Sequence, residues 1–325
     1  MKAAFITKTG PSNYIKYEAL PVPDIKNNEL LVKTQFVAVN PVDCYIRSGK
    51  YAIPLQFPYI IGRDFCGVVE KIGPKVTQFK PGDKVWSNCQ GIHGRQGSFA
   101  EYLAVDERTV FHLPKNANPL EAIATFHSAL TAVVGIFREA MLKRGETIFI
   151  NGGAGNVGSL VCQIASSLGA AAIVSASGEQ DIQWCYESGA QHVIDYKATD
   201  VTIELKKLAP KGVDVFWNTT LVHDFEHFLP LLAYKGRYIL MSGLGRKSLI
   251  DVGDLYTKDA CIHGFAISNL SDDELVGNAE AINQLLSKNS IKSRIAHILP
   301  LSEAAAAHNL LENTKVKGKI ILTLE

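Results

Sequence analysis

The chain has 325 residues, enough for two domains of ordinary size, and is 47% hydrophobic and 20% charged, a balance normal for a soluble globular protein. Its formal net charge of +1 removes any electrostatic case for nucleic acid or an anionic membrane as the main partner. No apolar run is long enough to span a bilayer.

In chain order, Met1 to Thr7 reads straight into a strand and has no signal-peptide layout. Short strands follow at Leu30 to Val39, Gly67 to Ile72, Lys84 to Ser87 and Phe99 to Val105, with turn signals such as Lys80-Pro-Gly-Asp83 between them. This texture predicts a β-rich module over residues 1–122. A helical pattern begins near Pro119 to Thr125 and opens a second module, 123–266, in which strands and helices alternate. Its strands are read at Thr147 to Asn151, Ala170 to Ser175, His192 to Asp195, Val213 to Trp217, Arg237 to Met241 and Cys261 to Phe265. Such alternation predicts a parallel, doubly wound sheet. One helix follows at about Asp272 to Lys288, then a tail ending in a strand, Gly318 to Leu324. That strand is expected to return to the first module, so that 267–325 completes it and the α/β module is an insertion. A small-molecule site is expected at the domain interface. The six cysteines (44, 66, 89, 162, 185 and 261) are scattered without a C-x-x-C pair, which favours reduced thiols and a cytoplasmic location.

The most informative stretch is Thr147-Ile-Phe-Ile-Asn-Gly-Gly-Ala-Gly-Asn-Val-Gly158. A short apolar strand runs into a turn that holds Gly152, Gly153, Gly155 and Gly158. From Val157 the apolar positions fall at 157, 160, 161, 164, 165 and 168, which is helical spacing, and Gly169 supplies the stop. We read the glycines as G-x-x-G-x-x-G. A turn of this kind lets backbone approach a diphosphate, and the helix N-terminus offers it unpaired N–H groups and positive partial charge. Gly152, Gly153, Ala154, Gly155, Asn156, Val157 and Gly158 are therefore candidate cofactor-binding residues.

Several motifs occur in a fixed order: Asn40-Pro-Val-Asp-Cys-Tyr-Ile-Arg-Ser-Gly49, Gly62-Arg-Asp-Phe-Cys-Gly67, Pro81-Gly-Asp83, the turn above, and Gly318-Lys319. Together they resemble the medium-chain dehydrogenase/reductase superfamily, in its zinc-free quinone oxidoreductase (zeta-crystallin-like) branch, over essentially the whole chain. The resemblance implies a Rossmann sheet inserted into a GroES-like β domain. It further implies NADPH as reductant, quinones or activated alkenes as substrates, and a homodimer. By family position Thr131, Ser242, Gly243, Phe265 and Ala266 touch the cofactor, and Tyr196 flanks the adenosine phosphate.

The superfamily also contains zinc alcohol dehydrogenases, whose catalytic metal needs three Cys, His or carboxylate ligands. Aligned to that pattern, the ligand positions hold Asn40, Arg63 and, nearby, His127, with Asp64 in place of the motif's glutamate. One ligand in three predicts no metal. Cys89-x-x-x-His93 has no second pair near it in sequence and reads as a loop thiol and a surface imidazole; Cys44 reads as a small core or cleft residue. NAD sites place Asp or Glu at the end of the second strand to bind the ribose hydroxyls. Here that strand ends in Val174-Ser-Ala-Ser-Gly178, which leaves room for a 2′-phosphate and lets Ser177 donate to it, so NADPH is expected over NADH. Glu179 and Asp181 stand where a Lys or Arg is expected, and Lys197, Lys315 or Lys317 is the candidate source of positive charge. Hydride transfer to a quinone or enone puts negative charge on oxygen, and a zinc-free site needs donors aimed at it. Tyr45, Asn40 and Arg63 are the candidate catalytic donors; packing, turn capping and pairing with Asp43 or Asp64 are their alternative roles. Two other functions compete: a zinc-type alcohol dehydrogenase, and a cofactor-binding or RNA-binding protein without activity.

Overall fold

In the computed structural model, which describes residues 1–324, the chain divides into two units, each with its own sheet and core. One comprises Met1–His127 and the segment from Leu270 onward; the other is Ser128–Asn269.

The β-rich unit is organised by the long strand β3 (Glu29–Val39). The preceding strands are β1 (Lys2–Ile6) and β2 (Lys16–Ala19). After β3 come β4 (Tyr59–Ile60), β5 (Asp64–Ile72), β6 (Lys84–Ser87), β7 (Tyr102–Asp106) and β8 (Phe111–His112). β3 pairs antiparallel with β5 and β7, and its flanks Leu30, Val32, Val37 and Val39 are at most 2% exposed. A helix, Pro41–Ser48, leaves β3 directly. Asn40 and Asp43 form a reciprocal capping box at its start, Pro41 takes the first turn, and Gly49 ends it in the left-handed conformation (φ 81°).

The α/β unit supplies six strands: β9 (Thr147–Asn151), β10 (Ala171–Ala176), β11 (His192–Asp195), β12 (Val213–Asn218), β13 (Leu232–Leu240) and β14 (Cys261–Gly264). All neighbours are parallel, in the order β11-β10-β9-β12-β13-β14. This is the doubly wound Rossmann order, which reverses between β9 and β12. Ile148, Phe149 and Ile150 of β9 are fully buried, as a central parallel strand requires.

The tail supplies β15 (Ile295–Pro300) and β16 (Lys319–Thr323). β16 pairs antiparallel with β3, with Ile320 opposite Val39, and so closes the β-rich unit. The fold is thus a Rossmann sheet and a separate GroES-like β sheet. Three details depart from the sequence expectations. The strand read from Phe99 begins at Tyr102, while Ala100 makes only an isolated bridge to Ala3. β13 starts at Leu232, five residues earlier than read, across Lys235 and Gly236. The tail holds β15 and a helix, Ala304–Asn313, that were not read at all.

Candidate active site

The dinucleotide turn lies at the carboxyl end of β9, beside the point where strand order reverses. This is where open α/β sheets bind ligands. Its glycines have separate steric duties. Gly152 adopts φ +87°. A Cβ on Gly153 would stand 2.5 Å from Val174 Cβ on β10, and one on Gly158 would stand 2.3 Å from the Gly152 carbonyl oxygen. Gly155 is exposed, has φ −71°, and its added Cβ would meet nothing nearer than 3.4 Å. The steric duties therefore fall on Gly152, whose added Cβ would also stand 2.4 Å from Thr219 Oγ1, on Gly153 and on Gly158, while Gly155 keeps the outer side of the turn open; Gly153, Gly155 and Gly158 also stand in the spacing G-x-G-x-x-G. The helix Asn156–Leu168 starts directly after Gly155 and ends at Gly169 in the left-handed conformation.

The turn is held from behind by polar strand ends. Ser175 Oγ accepts from Gly152 N (2.9 Å) and donates to Asn151 Oδ1 (2.7 Å). Thr219 Oγ1 donates to the Asn151 carbonyl (2.7 Å). Asn151 and Asn218 are register partners at the ends of β9 and β12, and their side chains bond at 3.3 Å. Beyond them His223 Nε2 donates to the Ser242 carbonyl (3.0 Å) and Ser242 Oγ donates to the Thr220 carbonyl (2.6 Å). Burial holds the His223 imidazole below its usual range, against the hydrogen bond to the Ser242 carbonyl. The Gly243 turn (φ +102°) packs against that ring. Sequence reasoning missed Asn151, Ser175, Asn218 and Thr219. The available signal was an asparagine closing each of two otherwise apolar strands.

The other cofactor candidates are placed as follows. Thr131 is buried on the helix Phe126–Val134, and Phe265 meets Trp217 edge-on at 6.2 Å with Ala266 exposed beside it. Tyr196 is exposed just past β11. Ser177 is half-buried, and its hydroxyl donates to Asp195. Hydrogen bonds from Lys197 N–H and Ser177 hold that carboxyl below its usual range. In this structure the group expected to donate to a 2′-phosphate is engaged by an anion. Lys317 lies in the other unit, exposed, two residues before β16.

In the β-rich unit the motif residues form a buried charge network. Asn40 is fully buried; its Nδ2 donates to Asp64 Oδ2 (3.0 Å) and to the Ala38 carbonyl (3.3 Å). Its Oδ1 accepts from the Lys319 ammonium. Asp43 accepts from the Asn40 backbone N–H (2.8 Å), and His127 Nδ1 lies 3.4 Å from Asp64 Oδ1. Burial, aided by the charge of Asp64, raises the Asp43 carboxyl to about 7 against the pull of Arg63 and Lys319. Burial also lowers Lys319 and His127. In this structure two of the three candidate donors, Asn40 and Arg63, are enclosed within the protein. Both N–H bonds of the Asn40 amide are spent inside the protein, and Arg63 is only 1% exposed. Tyr45 differs: it is half-buried on the Pro41–Ser48 helix, and among the described residues its phenol has no hydrogen-bond partner.

The same network tests the fit of a catalytic zinc. The first two ligand positions hold an amide and a guanidinium, and an ammonium occupies the amide oxygen. Of the aligned positions only His127 and Asp64 are ligand types, and no group of three His, Cys, Asp or Glu suited to a metal occurs among the described residues. This donor set does not fit a divalent cation. Cys89 is buried, Cys44 is buried against His308, and His93 is exposed with φ 53°.

An open parallel sheet with a dinucleotide turn and a GroES-like β unit is the architecture of a nucleotide-dependent dehydrogenase. Family models agree: residues 26–115 match the alcohol dehydrogenase GroES-like domain and 156–286 match the zinc-binding dehydrogenase domain. The chain is 31% identical to a quinone oxidoreductase of Sus scrofa, covering 100% of this chain and 98% of that protein. It is 29% identical to a zinc-type alcohol dehydrogenase-like protein of Staphylococcus epidermidis, over 94% and 93% of the two chains. Among solved structures, a mycobacterial protein complexed with NADPH superimposes with TM-score 0.86 at 26% identity, over the full length of both chains. The chain belongs to the medium-chain dehydrogenase/reductase superfamily, in its quinone oxidoreductase, zeta-crystallin-like branch, and is an oxidoreductase. No helix among the described residues is long and apolar enough to cross a membrane.

Proposed function

We propose that this oxidoreductase reduces quinones or activated alkenes with NADPH, without zinc. The observation that carries the reading is the closed network at the zinc-ligand positions, which consumes Asn40 and leaves Tyr45 with a phenol free to donate. Gly152 to Gly158 and the Asn156 helix start would hold the cofactor diphosphate, with Thr131, Ser242, Gly243, Phe265 and Ala266 along the rest of it. When bound, a nicotinamide supplies the hydride. Tyr45 donates a hydrogen bond to the substrate oxygen on which negative charge collects. Asn40, Asp64 and Lys319 fix the start of the helix that carries Tyr45. The reading includes a cytoplasmic homodimer, whose mass sedimentation would report.

NADH is the second reading, and one observation favours it: Asp195 holds Ser177 and places a carboxylate next to the second strand's end. The test is oxidation of NADPH and NADH against ortho-quinones, para-quinones and enals. Turnover with NADPH supports the proposal. No turnover on any acceptor, or activity that a chelator abolishes and zinc restores, defeats it. Within an active enzyme, Tyr45→Phe is expected to lower kcat about tenfold or more with little change in the KM for cofactor. Unchanged turnover would remove Tyr45 from the reaction.

A further inference from the structure

The loop after β12 and the turn after β13 are tied together by one side chain, His223. The ring is 6% exposed and stands between two groups of opposite kind. Its Nε2 lies 3.0 Å from the Ser242 carbonyl oxygen, which can only accept, and its Nδ1 lies 3.1 Å from Asn218 Nδ2, which can only donate. The Asn218 amide is fixed in this sense, because its Oδ1 accepts from Thr220 N (3.0 Å) and Thr220 Oγ1 (2.9 Å) and its Nδ2 donates to the Val222 carbonyl (2.7 Å). A neutral imidazole with its proton on Nε2 satisfies both sides. An imidazolium would set a second N–H against the Asn218 amide nitrogen. The Ser242 hydroxyl returns the link by donating to the Thr220 carbonyl (2.6 Å). Gly243, at φ +102°, lies so close that a Cβ there would stand 2.8 Å from His223 Nε2. On its other sides the ring meets Phe225, stacked at 6.0 Å, and the Tyr238 hydroxyl, 3.4 Å from Nδ1, whose phenol burial pushes up. Asp224, next in the chain, gives its carboxylate to His227 Nδ1 (2.9 Å), and among the described residues no carboxylate pairs with the His223 ring.

We propose that His223 is a positioning residue for the dinucleotide: its neutral ring holds the Ser242–Gly243 turn in the shape that receives the cofactor, a role that rests on the assignment of Ser242 and Gly243 as cofactor contacts. Protonation breaks the match with Asn218 and loosens that turn. The strands do not need the ring, since Val215 to Asn218 pair in register with Arg237 to Leu240 ahead of it. What it fixes is the two connections beyond their carboxyl ends, where open α/β sheets bind ligands. Burial holds the imidazole below its ordinary 6.5. The ring is therefore neutral above 6.5, where affinity is full, and affinity is lost as pH falls through the lowered value.

The test is calorimetric titration of NADPH into the full chain at about pH 8 and about pH 5, on either side of the ordinary histidine range. His223→Leu removes the bond to Ser242 and is expected to raise the Kd about three- to tenfold at the higher pH. His223→Gln puts an uncharged amide N–H near the place of Nε2 and is expected to recover most of that loss without titrating. Between the two pH values the wild-type Kd is expected to rise about threefold or more beyond that of His223→Gln. The cofactor's own ionisation is common to both proteins and cancels in that ratio. An unchanged Kd in folded His223→Leu, or the same pH course in wild type and His223→Gln, would overturn the proposal and leave the ring a packing residue. The comparison of wild type with His223→Gln decides alone where His223→Leu does not fold. If Gly155→Ala weakens NADPH binding and His223→Leu does not, only the role of His223 is lost, whereas no binding by wild type at the higher pH defeats the cofactor assignment and the proposal together.

Discussion

Changing Gly155 to Ala should separate cofactor capture from folding, because the two demands fall on different glycines of one turn. At Gly155 the backbone has φ −71° and ψ 167°, which alanine adopts freely, and the new Cβ would meet only the Gly152 oxygen, at 3.4 Å. The apo protein should therefore melt within a degree or two of wild type. The added methyl nevertheless occupies the exposed side of the turn, where a diphosphate must come within hydrogen-bond distance of backbone N–H groups. Loss of one charge-assisted hydrogen bond costs about 1.5–3 kcal/mol, so the Kd for NADPH should rise roughly 10- to 150-fold. Gly158→Ala is the comparator. There the Cβ falls 2.3 Å from the Gly152 oxygen, and that residue is pinned through its N–H to Ser175. Relief means moving the turn, at about 1–3 kcal/mol, so apparent Tm and affinity should fall together. Calorimetric titration with NADPH and thermal denaturation of both variants give the answer. If Gly155→Ala binds NADPH as tightly as wild type, the amides of this turn do not face the diphosphate and the cofactor assignment fails.

Three further outcomes follow from the same geometry. Lys319→Met leaves Asp43 and Asp64 buried without their ammonium and should cost about 3–5 kcal/mol in urea unfolding, with partial recovery in Lys319→Met/Asp64→Asn; an unaltered midpoint would refute it. Asp195→Asn removes the carboxylate that engages Ser177 and should raise the ratio of kcat/KM for NADPH over NADH about fivefold, whereas a lower ratio would place the 2′-phosphate elsewhere. His308 is fully buried against Cys44 (3.3 Å), and burial lowers it from 6.5 to about 3. For a base lowered in this way, stability is present above 6.5 and is lost as pH falls toward 3, which amounts to about 2 kcal/mol at pH 5. Asp43, raised to about 7, has the opposite sign, its share being full below 3.8 and lost as pH rises through 7. The readout is therefore the difference between wild type and His308→Leu, which should shift by about 2 kcal/mol between pH 7.5 and 5 in favour of the variant.

Where a feature repeats with the period of its own secondary structure, the sequence shows it. β9, the following helix and its Gly169 stop were legible because apolar spacing and glycine conformation are local properties. β15 and the Ala304–Asn313 helix were not. Of the β15 side chains only part is buried, and the helix opens on Ala304-Ala-Ala-Ala307, whose pattern gives no apolar stripe. The start of β13 was hidden by Lys235 and Gly236, which register with β12 overrides.

The candidate site shows a different limit. Asn40, Arg63 and Asp64 could be found from motif spacing, yet spacing says nothing of which hydrogen bonds a side chain has already made. An amide read as a substrate donor has spent its N–H bonds on Asp64 and the Ala38 carbonyl, and Lys319, 279 positions away, arrives on β16 and takes its oxygen. That contact exists only once β16 has paired with β3. The charges also explain one another: Asp43 and Asp64, buried together, each need a cation, and Lys319 and Arg63 lie close enough to supply them. Under the proposed function, the network spends the N–H bonds of Asn40 within the protein, and the donor assigned to substrate oxygen is therefore Tyr45, on the helix that the network caps.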